Sequence, residues 1–187
     1  MAFYVGIDYS LSCPCVAVSI NNQFSDSKIY YLSDRKAVTG LVMPNVIGVL
    51  HDEYLSDQER YENIALWVIE ILNNLTDREI YIMIEDYSFG SKGKVFHIAE
   101  NCGILKYLLY KNNYQFLTAP PTVIKKFATG KGNADKQKMF DAFFAETNIN
   151  LHKTISPTTK LGSPTTDIVD AWYMSKYMIE TLKEKAV

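Results

Sequence analysis

The chain has 187 residues, 48% of them hydrophobic and 21% charged, with a formal net charge of -2; this is the size and balance of one ordinary folded domain, not of a disordered segment. The charge excludes a protein that coats nucleic acid by sheer basicity, so any such contact must come from local clustering. No apolar run approaches the roughly 18 residues of a membrane span, the opening MAFYVGIDYS lacks the basic start of a signal peptide, and Cys13, Cys15 and Cys102 suit neither a closed zinc site nor a disulfide framework, so free thiols and a cytoplasmic location are expected.

In chain order, FYVGID (3–8) is short, aromatic and β-branched, the pattern of a strand. CVAVSI (15–20) and KIYYLS (28–33) follow as second and third strands, and the NNQ turn signal suggests an antiparallel meander. Residues 34–56, with Gly40, Pro44 and Gly48, read as a long irregular excursion. Residues 57–74 have helical periodicity through Tyr61, Ile64, Ala65, Val68, Ile71 and Leu72, with Ser56 or Asp57 as cap. EIYIMIE (79–85) is a continuous apolar run ending in acid, as expected of a central strand covered on both faces. A loop, FGSKGK, leads to a helix at 95–112 with Ile98, Cys102, Leu105 and Leu109 on one stripe. A strand at 114–119, a short helix within 120–130, a helix at 134–147, a loop at 148–162 and a last helix at 163–183 complete the chain. The order predicts a single α/β domain over 1–187 with helices packed on a sheet.

Four acids stand out. Asp8 ends the first strand on the side shared with Tyr4 and Gly6, and Gly6 leaves room beside it for backbone or ligand. Glu85 ends the buried fourth strand, where an unpaired carboxylate is costly; Asp86 points the other way. Asp167 and Asp170 open the last helix, with Ser163 read as N-cap and Pro164 at the first helical position. Asp167 suits the helix dipole, but Asp170 lies a turn deeper. Residues three apart share a helix face, so the two carboxylates can converge, and like charges that close call for a cation. Such acids suit hard, oxygen-preferring ions such as magnesium, and two ions about 4 Å apart can drive phosphodiester hydrolysis.

The basic residues cluster too. Residues 125–138 carry Lys125, Lys126, Lys131, Lys136 and Lys138 against one acid, Asp135, which reads as phosphate contact, with Gly130 and Gly132 permitting close backbone approach. Phe89, Lys92 and Lys94 sit on a glycine-rich loop beside Glu85, where an exposed aromatic can stack on or wedge between bases. His97 and His152 are candidates for assisting proton transfer.

Four elements in this order, GIDYS, IEDYSFGSKG, PTVIKKFATGKGNADKQKM and DIVDAW, resemble the RuvC-like Holliday junction resolvases of the ribonuclease H superfamily, most closely the phage-type members. The resemblance spans roughly residues 3–180 and is weakest over 21–60. It implies a ribonuclease H-like fold with a mixed five-stranded sheet, strands one to three antiparallel, flanked by helices. It implies that Asp8, Glu85, Asp167 and Asp170 are catalytic and bind two Mg2+ ions, with Mn2+ a possible substitute. It implies that a lysine of the 125–138 segment, Lys131 or Lys136, approaches the scissile phosphate, and that Phe89 and its basic neighbours meet the junction centre. The implied activity is a crossover junction endodeoxyribonuclease in recombination and repair. It would make paired nicks in four-way DNA as a homodimer, in the host cytoplasm if phage-encoded. Helix 95–112 is the expected dimer contact, through Gly103 and Cys102. Other readings are a nuclease of broader branched-DNA or RNA/DNA-hybrid specificity, a catalytically inactive DNA-binding protein, and an actin-like ATPase or sugar kinase; the last needs a second lobe for which the chain has little room.

Overall fold

The computed structural model describes residues 2–86, 95–157 and 160–185. Strands β1 (Phe3–Asp8), β2 (Cys15–Ser19) and β3 (Lys28–Ser33) form the antiparallel meander, and β6 (Ile80–Glu85) and β7 (Phe116–Ala119) extend it in parallel beyond β1. These five match the expected strands. Among the described residues the sheet nevertheless has seven, in the order β4-β5-β3-β2-β1-β6-β7. The two extra strands, β4 (Gly40–Met43) and β5 (Val46–Leu50), come from the stretch read as irregular. They form a hairpin whose second strand lies parallel to β3, Ile29 opposite Val46. Asn45 pins the hairpin turn by donating to the carbonyls of Phe24 (2.8 Å) and Ser27 (3.1 Å). Short strands interrupted by glycine carry too little alternation to stand out from a loop.

Helices α1 (Asp57–Asn73) and α2 (Val95–Lys111) cover one face of the sheet. Ser56 caps α1 by accepting from the amide of Glu59 (3.2 Å), and the Glu59 carboxylate accepts from the amide of Leu55 (2.7 Å), which satisfies amides that the first turn leaves free. Helices α3 (Pro121–Thr129), α4 (Lys136–Thr147), α5 (Leu151–Ile155) and α6 (Thr165–Lys185) cover the other face. Helix α5 lies in the segment expected to be a loop; Leu151 and Ile155 are buried and anchor it. Helix α4 begins two residues later than its pattern suggests, because Asp135 serves as N-cap and accepts from the amide of Lys138 at 2.9 Å. Edge-to-face contacts among Phe24, Phe143 and Trp172, with centroids 4.9–5.8 Å apart, lock α4 and α6 together.

Gly6 sets how close α6 comes to the sheet. A Cβ at this position would lie 2.1 Å from the Ala171 carbonyl oxygen and 2.5 Å from the Ser175 amide nitrogen. The helix backbone therefore rests directly on β1, beside Asp8. Cys13, Cys15 and Cys102 are buried and form no disulfide among the described residues. Among the described residues no helix is long and apolar enough to cross a membrane.

Candidate active site

Ile7 pairs with Ile84 across the parallel β1–β6 junction, so Asp8 and Glu85 are the next residues on neighbouring strands. Met83 belongs to the core under α6, and the period of two puts Glu85 on that same face. Asp167 and Asp170 occupy the opening turns of α6 above them. All four acids line one cavity of about 270 Å³, together with Lys125, Lys136, Thr166, Met139, Val169 and Pro121. Residues separated by as many as 162 positions thus share a wall because α6 packs across the ends of β1 and β6.

The acids are held under electrostatic tension. Burial is the main cause in each case: only 7% of Asp8 and of Asp167 is exposed. Asp8 is pushed well above the usual carboxylate range by desolvation and then by Glu85, Asp167 and Asp170. Asp170 is pushed up to about 7 by desolvation, Glu85 and Asp167. Glu85 and Asp167 are raised as well, again chiefly by burial. Lys136 is the positive charge that all four feel, and Lys125 acts on Glu85 and Asp170. The Lys136 ammonium donates to Thr166 Oγ1 at 3.3 Å, which holds it over the start of α6.

Two further groups fix Asp167. The Ser163 hydroxyl and the Cys13 thiol, both near its carboxylate, favour the ionised form against burial, and burial keeps that thiol protonated. Asp167 Oδ2 is buried with no hydrogen-bond partner. Ser163 was expected to cap α6 with Pro164 at the first helical position, but the helix starts at Thr165. No periodicity or motif points to Cys13 or Thr166; their roles follow from contacts between distant segments.

The chemistry of this donor set fits a hard divalent cation: carboxylate oxygens, one of them buried and unpartnered, with no competing sulfur ligand needed. Among the described residues, no three His, Cys, Asp or Glu side chains are gathered tightly enough to grip an ion as they stand. Mutual repulsion between carboxylates opposes such gathering, and the ion itself would have to draw them in.

The other predicted residues separate into groups. Lys125 and Lys136 reach the cavity, whereas Lys126 and Lys131 are exposed and do not line it. Gly130 is the left-handed C-cap of α3, and Gly132 packs against the Thr122 carbonyl, where a Cβ would sit at 3.0 Å. Gly132 is thus enclosed by the turn, whereas Gly130 is exposed with open space where a Cβ would sit. His97 is bonded to the Tyr61 hydroxyl (2.7 Å) and His152 packs edge-on to Phe140; neither lines the cavity, so a role for either in proton transfer finds no support. Phe89, Lys92 and Lys94 lie outside the described residues.

The sequence matches no protein-family model and no curated protein. Its architecture does have counterparts: this is the fold of the RuvC-like Holliday junction resolvases. A Thermus thermophilus RuvC structure aligns with a TM-score of 0.60 at 12% identity, over 96% of this chain and 95% of that one. T. thermophilus RuvC in complex with a Holliday junction substrate aligns at 0.61 and 10% identity, over 98% and 97%. The yeast mitochondrial Holliday junction resolvase Ydc2 aligns at 0.52 and 12% identity, over 97% and 81%. At such identities the likeness is one of fold, and the residues must carry the function.

Proposed function

We propose that this protein is a divalent-metal-dependent, structure-specific DNA endonuclease that resolves four-way junctions by paired nicks. The observation that carries the reading is the meeting of Asp8, Glu85, Asp167 and Asp170 in one cavity with Lys125 and Lys136 at its edge, on a fold whose solved counterparts include a junction-bound RuvC. Asp8, Glu85, Asp167 and Asp170 would hold one or two Mg2+ ions, or Mn2+ in their place. When bound, these ions supply charge neutralisation at the scissile phosphate and a water of lowered pKa. Lys136, fixed by Thr166, positions a phosphate oxygen over the acids, and Lys125 assists from α3. Lys126 and Lys131 extend the basic surface along the DNA backbone, where they add affinity without sequence information. Phe89, Lys92 and Lys94 would meet the junction centre.

Two nicks require two cavities, hence a homodimer. Phe96, Gly103, Tyr107 and Tyr110 are exposed on one stripe of α2, which is the proposed contact. Cys102, expected to help there, instead faces the chain's own core.

The test is a labelled synthetic four-way junction beside matched duplex, fork and hybrid substrates, with Mg2+ or Mn2+ and an Asp8→Asn control. Symmetric nicks near the crossover, absent from the control, are expected. Equal cutting of forks or flaps would keep the chemistry and replace the substrate. Metal-independent junction binding with no cutting would leave a DNA-binding protein.

A further inference from the structure

Arg35 lies in the excursion that carries no recognised motif, far from the acids in sequence. Its guanidinium donates to the Ser163 carbonyl oxygen at 2.5 Å. Ser163 lies two residues before α6, whose third residue is Asp167. Arg35 thereby ties the β3–β4 connection to the segment that aims a carboxylate into the cavity.

Arg35 is itself held in place. Its amide donates to Ser33 Oγ at 3.1 Å, at the end of β3. A short 3-10 turn follows at Lys36–Val38, and Val38 is buried. The Val38 carbonyl accepts from the hydroxyl of Tyr31, a fully buried residue of β3. That contact exists because β5 has no side chain at Gly48, where a Cβ would lie 2.6 Å from the Val38 oxygen and 2.7 Å from the Tyr31 hydroxyl. The added hairpin and the buried tyrosine thus set the turn, and the turn presents Arg35 to Ser163.

We propose that Arg35 is a positioning residue that braces the lead-in to α6 and so orients Asp167 toward a bound cation. Partners of this kind govern the affinity of a metal site although they never touch the ion. The proposal rests on the metal-site reading above for its consequence, but its structural half does not. It also predicts a sign that simple electrostatics does not. Removing a positive charge from the protein that holds a cation should, by charge alone, tighten cation binding, whereas loss of the brace should weaken it.

The experiment compares wild type with Arg35→Ala, and with Lys36→Ala as a neighbouring exposed cation that has no part in the brace. Mn2+ binding is measured by calorimetry, and amide exchange by mass spectrometry in the metal-free protein. Exchange is read at Thr166 and Ile168, whose amides donate to Gly162 and Pro164. Arg35→Ala is expected to weaken Mn2+ binding about 10-fold and to speed exchange at those amides, with little change in melting temperature because Arg35 is exposed. Lys36→Ala should do neither. Unchanged exchange overturns the proposal whichever way affinity moves, and so does tighter or unchanged Mn2+ binding by Arg35→Ala. If junction affinity in EDTA falls while exchange is unchanged, Arg35 is a phosphate contact instead. Wild-type protein that binds no Mn2+ at all sinks the metal-site reading and with it the ion-directed half of the brace, while the exchange arm still decides whether Arg35 holds the segment.

Discussion

The acids of the cavity come from three elements scattered along the chain and lie largely buried, whereas the lysines facing them come from one stretch of fourteen residues, 125–138, and stand mostly in solvent. The difference is one of dielectric. Buried carboxylates feel one another strongly and shift their ionisation, while exposed ammonium groups are screened by water and salt. A change to the floor should therefore alter chemistry and stability sharply, and a change to the rim should alter affinity gradually.

The largest effect expected is on the floor itself. Asp8→Asn or Asp170→Asn should slow junction cleavage by on the order of 10³-fold, measured in single-turnover assays. Junction binding in EDTA should be retained or strengthened, since a negative charge has gone. Parallel loss of binding and cleavage would merge floor and rim into one function and break the contrast. Gly6→Ala comes next. Its methyl group would collide with the α6 backbone and cost about 3 kcal/mol of stability by overpacking, read by denaturant unfolding. Cleavage should fall further than stability alone explains, because α6 carries two of the acids.

A third effect concerns pH. Asp170 ionises near 3.8 when unfolded and near 7 in the folded, metal-free protein. The folded state therefore holds the proton more tightly, and this contribution to stability is full below pH 3.8 and lost as pH rises through 7. Metal-free melting temperature should decline across that interval, Asp170→Asn should flatten the decline, and Mn2+ at pH 8 should offset it by binding the ionised form. The smallest effect belongs to the rim: Lys131→Ala should weaken junction binding modestly and reduce the salt slope of affinity by about 1, with cleavage of bound junction unchanged. A large drop in the cleavage rate would move Lys131 from the rim into the site.

Much of this architecture was legible in the residues. The five strands that flank the site, the long helices and the four acids can all be read from apolar patterning, from two carboxylates at strand ends and from a pair three residues apart at a helix start. What escaped was short or non-local. Strands β4 and β5 are short and carry Gly40 and Gly48, which break up any alternation, and α5 is a single turn and a half anchored by Leu151 and Ile155. Cys13, Thr166 and Arg35 carry no local signature, because each matters only through a partner that the fold brings near. Lysines 131 and 136 are indistinguishable in sequence, yet the N-terminus of α4 turns only Lys136 toward Thr166.

By itself the sequence determined which side chains could do acid–metal chemistry and where basic charge would accumulate, because residue type and short-range periodicity are local properties of the chain. Tertiary structure alone decided that Asp8, Glu85, Asp167 and Asp170 share one cavity, which lysine faces them, and how an arginine from an unassigned loop meets the start of the last helix. Burial, like-charge coupling and backbone approach at Gly6 and Gly48 depend on distances between segments that are remote in the chain, and only packing sets those distances.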